Sequence, residues 1–167
     1  QNASACRGVI GTLSTDEKNA VLHTAADLLI NKKESILEAK KLDINYAEEK
    51  GMAKGMIDRL ALTSDRIEDM ADGLRQVASL NDPIGEVLSS VERPNGMVVT
   101  KRRVPMGVVG IIYESRPNVT ADAFGLCFKT GNVCILKGGS DAIHSNITIV
   151  SILKEALEEH GLPEAAC

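Results

Sequence analysis

Two short stretches of this chain hold the side chains best suited to chemistry on an anionic or carbonyl substrate. The first is Glu114-Ser115-Arg116-Pro117-Asn118, reached directly from the apolar run GVVGIIY. Arg116 carries a planar fork that pairs with a carboxylate or phosphate, and the Asn118 amide can donate to a developing oxyanion. Ser115 is suited to donate to a substrate, and equally to close a turn that Pro117 fixes. Glu114 reads as a base or as half of a structural salt bridge. The second stretch is Lys137-Gly138-Gly139-Ser140, directly after NVCIL. Lys137 offers a positive charge and three donors for ribose hydroxyls or phosphate. Gly138 and Gly139 let a ligand approach the backbone, and a helix starting here would turn open N–H groups towards an anion. The spacing is neither a P-loop nor G-x-G-x-x-G, and a dinucleotide site and an ordinary glycine-rich turn fit it equally. His144, one turn further on, is read as a surface or packing residue, with a place beside phosphate as the alternative.

The elements that must position these residues are legible in the periodicity. The first eighty residues read as helices. Ser14 with Glu17 three positions later is a capping box, and Val21, Leu22, Ala25, Leu28 and Leu29 then form one apolar face. A second helix is expected from Lys33 to Glu48, with Ile36, Leu37 and Ile44 among many charges, and a short third from Lys54 to Leu60. A fourth starts at Thr63 or Ser64 and carries Ile67, Met70, Leu74 and Val77. Charge runs such as NKKES and AEEK read as solvated surface. Around the turn signal Pro94-Asn95-Gly96 a hairpin is expected, Gly85–Arg93 against Met97–Val104. Its basic patch, Lys101-Arg102-Arg103, suits a solvated or subunit-contacting strand better than a nucleic-acid site.

After Pro105 the order becomes strand, helix, strand, helix. GVVGIIY is continuously apolar, as a strand covered on both faces should be. NVTADAFGLCFKTG is a helix stopped by Gly131, NVCILK a second buried strand, and GSDAIHSNITIVSILKEALEEHG a long helix stopped at Gly161. This βαβα unit calls for parallel strands. Two parallel strands rarely make a stable sheet alone, so the chain reads as a segment of a larger α/β enzyme.

Composition narrows the partners. The 167 residues are 44% hydrophobic and 25% charged, the profile of a globular protein in water. Aromatics are 2%, Trp is absent and the net charge is -4, which argues against nucleic acid. No apolar run approaches the ~20 residues of a membrane span, and the N-terminus lacks the pattern of a signal peptide, so a cytoplasmic location is expected. Cys6, Cys127, Cys134 and Cys167 form no C-x-x-C pair and no zinc spacing, and Cys127 and Cys134 read as small core residues.

RVPMGVVGIIYESRPNVTADA, followed by KTGNVCILKGGSDAIHSN, resembles the gamma-glutamyl phosphate reductase (glutamate-5-semialdehyde dehydrogenase) family of the aldehyde dehydrogenase superfamily. MIDRLALTSDRIEDMADGLRQVASLNDPIGEV resembles the N-terminal helical region of the same family, so the similarity covers nearly the whole chain. The resemblance implies an aldehyde-dehydrogenase-like α/β fold in three parts. Residues 1–80 would be the helical part of the cofactor-binding domain, residues 81–104 a hairpin arm for oligomerisation, and residues 105–167 the first half of a Rossmann-like parallel sheet. It places Lys137 near the cofactor ribose, with Gly138, Gly139 and Ser140, and Ser115 and Arg116 beside the substrate. The superfamily's Asn near the reacting carbonyl falls by strict register at Arg116, with Asn118 the nearby amide.

The implied reaction is reduction of L-glutamyl 5-phosphate by NADPH to glutamate 5-semialdehyde and phosphate, in proline biosynthesis. A family cysteine attacks the acyl phosphate to give a thioester, and hydride transfer then gives a thiohemiacetal that collapses to the aldehyde. None of the four cysteines here matches that nucleophile's motif, so it is expected outside this chain. The full-length enzyme is expected to be a homo-oligomer without a metal. The competing readings are a stand-alone binding module and part of a bifunctional kinase-reductase.

Overall fold

Ser14 starts the first long helix as the capping box requires. Its Oγ accepts the Glu17 N–H at 3.3 Å, and the Glu17 carboxylate accepts the Ser14 N–H at 2.7 Å. The computed structural model describes residues 2–114 and 116–167; the Ser115 assignment lies outside them. The elements in chain order are α1 (Asn2–Ile10), α2 (Thr15–Asn31), α3 (Lys33–Glu49), α4 (Lys54–Leu60) and α5 (Ser64–Ser79). A hairpin of β1 (Val87–Glu92) and β2 (Val98–Arg102) follows, then β3 (Val108–Ile112), α6 (Asn118–Lys129), β4 (Val133–Lys137) and α7 (Ile143–Glu159). The periodicity did not reveal α1, a single short helix that buries Cys6 and Ile10 and packs against β3 and β4.

The core follows the apolar stripes. Val21, Leu22, Ala25, Ala26 and Leu29 of α2 meet the α5 face of Ile67, Met70, Ala71, Leu74 and Ala78. Beneath them α6 contributes Phe124 and Phe128, whose rings stack with centroids 5.3 Å apart. Gly131 ends the α6 segment at φ +70°, where a Cβ would also stand 2.9 Å from Pro105.

Three charges that the pattern leaves on the surface are interior. Lys18 is 1% exposed and its ammonium meets the Asp82 carboxylate at 2.7 Å. Lys129 donates to Asn19 Oδ1 at 2.6 Å and to the Ala78 carbonyl at 2.8 Å. Together these bonds fasten α2, α6 and the end of α5 to the segment that leads into the hairpin. The third is Asp43, 2% exposed. The buried side of α3 is Ile36, Ala39, Asp43 and Ala47, so an acid stands in the apolar stripe where Ile44 was expected. The NKKES run is also not wholly solvated, since Lys32 pairs with Glu155 of α7.

The β1–β2 hairpin is antiparallel, with Val91 opposite Val99 and a register irregularity between Val87 and Ser89. Every residue of both strands is exposed. β3 and β4 pair in parallel, from Val108 opposite Val133 to Ile112 opposite Lys137. β3 departs from the expected double covering: its residues alternate, and Ile112 is 86% exposed. Val109, Ile111 and Leu136 pack against the core, whereas Val108, Ile112 and Ile135 face outwards. Among the described residues no helix is long and apolar enough to cross a membrane.

Candidate active site

Parallel pairing brings the carboxyl ends of β3 and β4 side by side, and the Tyr113 N–H donates to the Lys137 carbonyl at 3.1 Å. Both chemistry-bearing loops therefore leave one edge of the sheet, the usual place for a ligand in such sheets. A cavity of about 400 Å³ lies there, lined by Tyr113, Glu114, Lys137, the Gly138–Ser140 turn and Asp141, and by Met56 of α4.

Gly138 is bare for a visible reason. A Cβ there would stand 2.3 Å from Asn146 Nδ2 and 3.2 Å from the Tyr113 ring. Asn146 is held beneath the turn by a chain of hydrogen bonds, Tyr113 hydroxyl to Thr120 Oγ1 at 2.7 Å and Thr120 Oγ1 to Asn146 Oδ1 at 3.0 Å. Its Nδ2 is buried and has no hydrogen-bond partner among the described residues. Burial pushes the Tyr113 phenol above its ordinary value, a rise that the Thr120 bond partly offsets.

The start of α7 differs from the expectation. Ser140–Ala142 form a single 3-10 turn, and the α-helix begins at Ile143 with no side-chain cap from Ala142. Its His144 and Ser145 N–H groups are not open to an anion, because Asp43 reaches across from α3. Asp43 Oδ1 accepts the His144 N–H at 3.0 Å, and Oδ2 accepts the Ser145 N–H at 2.8 Å and the Ser145 hydroxyl at 2.6 Å. The His144 residue itself is exposed.

Arg116 and Asn118 stand together elsewhere. They line a second cavity, about 390 Å³, with Asp58 and Arg59 of α4, Asp69 of α5 and Asp122 of α6. It shares no lining residue with the Lys137 cavity, so α4 faces one depression with Met56 and the other with Asp58. Arg116 is exposed, and its backbone closes the turn: its N–H donates to the Glu114 carbonyl at 2.8 Å, and its carbonyl accepts the Val119 N–H at 3.0 Å. Asn118 opens α6 and hydrogen-bonds Asp122; burial raises the Asp122 carboxyl, and that bond offsets part of the rise.

The Cys127 and Cys134 thiols are poorly suited to attack. Burial, with a smaller contribution from Cys134, pushes Cys127 up to about 11. Cys134 is pushed up by its hydrogen bond with Cys167 and by burial, and Cys6 donates to the Asn2 carbonyl at 3.3 Å. A thiol raised in this way stays protonated near neutrality and is a weak nucleophile.

Asp43, Tyr113, Thr120 and Asn146 escape a reading confined to the loops. Only Asp43 leaves a signal, as an acid at helical spacing within an apolar stripe.

The sequence profile of the aldehyde dehydrogenase family matches residues 1–167. A gamma-glutamyl phosphate reductase from Agathobacter rectalis is 61% identical over 165 residues, 99% of this chain and 40% of that protein. One from Clostridium beijerinckii is 53% identical over 166 residues, with the same shares of 99% and 40%. The crystal structure of gamma-glutamyl phosphate reductase from Thermotoga maritima matches with a TM-score of 0.96 at 42% identity, covering 99% of this chain and 40% of that one. The chain thus spans 40% of the length of these relatives. With the profile matched from end to end, the chain belongs to the aldehyde dehydrogenase family.

Proposed function

We propose that this chain supplies the first cofactor-binding part of an NADPH-dependent reductase that converts L-glutamyl 5-phosphate to L-glutamate 5-semialdehyde and phosphate, in proline biosynthesis. The observation that carries the reading is the turn Lys137-Gly138-Gly139-Ser140 at the carboxyl ends of two parallel strands, beside a cavity of about 400 Å³. Its donor set suits a phosphorylated dinucleotide: an ammonium and a hydroxyl flank two glycines, so sugar and phosphate oxygens can approach closely. The reductase names of relatives such as the A. rectalis protein support the choice of substrate.

In this reading Lys137 donates to ribose or phosphate oxygens, Gly138 and Gly139 give close access, and Ser140 adds a donor. NADPH, when bound, supplies the hydride. Arg116 holds the anionic end of the acyl phosphate, with Ser115 beside it, and Asn118 is the oxyanion donor. The nucleophilic cysteine is none of Cys6, Cys127, Cys134 and Cys167. Residues 1–80 and 105–167 build the cofactor side, and the exposed hairpin within residues 81–104 serves assembly of a cytoplasmic homo-oligomer.

The test is Lys137→Ala in the full-length enzyme. A charge-assisted hydrogen bond contributes roughly 1.5–3 kcal/mol, so the KM for NADPH should rise about tenfold or more, with a smaller change in the KM for the acyl phosphate. Unchanged cofactor affinity sinks the assignment.

A further inference from the structure

We infer that Asp43 is a positioning residue of the dinucleotide site, one that fixes the start of α7 behind the Lys137–Ser140 turn and sets how much negative charge the site accepts. This rests on the dinucleotide reading of that turn. Asp43 belongs to α3, far from both loops in sequence, yet its carboxylate fills the start of α7 with three hydrogen bonds from His144 and Ser145. A helix N-terminus carries a partial positive charge and attracts anions. Here that attraction is already answered by a carboxylate only 2% exposed, which solvent cannot screen well.

Two consequences follow. A phosphate cannot take the His144 and Ser145 N–H groups, because a fixed negative charge holds them. Phosphate recognition therefore falls to Lys137, Ser140 and the glycine backbone. Asp43 also lines a cavity of about 440 Å³ with Lys137, Gly138, Ser140, His144 and Tyr46. It puts an acid in the same cavity as Lys137, so a more highly charged ligand meets more repulsion there.

The test compares NADPH with NADH, which differ by one phosphate, in calorimetric titrations of full-length wild type, Asp43→Asn and Ser145→Ala. Loss of the carboxylate's charge shows in the ratio of their Kd values, and Ser145→Ala, which loosens the same contact without changing charge, reports what a loss of geometry alone does to that ratio. In Asp43→Asn at low salt, the preference for NADPH should rise about two- to fivefold, the effect of one charge at a helix N-terminus. High salt should shrink that gain. Ser145→Ala removes one hydrogen bond and no charge, so its ratio should stay at the wild-type value. If the Asn form does not fold, Asp43→Ser is neutral and gives the same comparison. An unchanged ratio at low salt, or an equal rise in Ser145→Ala, overturns the inference and leaves the cofactor site intact. Wild-type protein that binds neither dinucleotide overturns the proposed function and this inference with it.

Discussion

A single missing carbon decides the shape of the turn at Gly138. A Cβ there would press on Asn146 Nδ2 at 2.3 Å, and Asn146 cannot swing aside freely because Thr120 holds its Oδ1. Overpacking of this kind costs about 1–3 kcal/mol. Gly138→Ala should therefore lower the thermal midpoint, and adding Asn146→Ala should recover much of that loss by making room. Thermal unfolding of the four members of this double-mutant cycle measures the coupling. Simple additivity of the two losses rules out the contact as the reason for glycine. The Lys-Gly-Gly-Ser turn was legible because two glycines directly after an apolar run mark the end of a strand. The residue beneath it was not, because Asn146 lies inside a helix where nothing in local spacing separates a surface amide from a buried one.

At the level of elements, the polar knot around Lys18 ties α2 to the entry of the hairpin. Burial pushes the Asp82 carboxyl up, but the bonds from Lys18, the Ile84 N–H and Thr15 outweigh it, and the group lies below its ordinary value. A carboxyl depressed in the folded state adds stability above its unfolded value of about 3.9 and loses it as pH falls through the folded one. Wild type should thus lose stability as pH drops below about 4, with part of that slope due to Asp82. Asp82→Asn should cost about 3–5 kcal/mol at neutral pH, because it strands a buried ammonium, and should flatten the acid slope. Urea midpoints from pH 7 to pH 3 check both, and an acid slope equal to wild type in the variant counts against the pairing. Apart from α1, the helices were readable from capping and periodicity, down to the bounds of α4 and the Thr63 cap of α5. What could not be read was burial of charge. Lys18, Asp43 and Lys129 sit in windows that look amphipathic, and only distant partners make their burial tolerable.

For the molecule as a whole, the exposed apolar surface is concentrated where the strands are. Val87, Leu88, Val98 and Val99 in the hairpin, with Ile112 and Ile135 on the open face of the β3–β4 pair, are 44% exposed or more. Residues 1–167 made alone should therefore associate through these faces and should not oxidise NADPH with glutamyl phosphate. Light scattering and the loss of NADPH absorbance test the two halves of this statement. Catalysis well above background by the verified 167-residue chain overturns the assignment of the nucleophile elsewhere. Sequence reasoning placed the hairpin and the parallel pair correctly; Lys137 and Arg116 leave neighbouring strand ends yet line separate cavities. Loop order along a sheet edge says where side chains start, not which wall divides them.

The Asp43 clamp also bears on how such a chain is made. Its partners lie 101 and 102 positions downstream, so closing it gathers a long loop of chain at an entropic cost that grows only slowly with length. During synthesis α3 leaves the ribosome first and its acid waits in water. The His144 and Ser145 N–H groups gain this acceptor only when α3 docks against α7. The start of α7 in this way depends for its capping on a helix that was translated long before it.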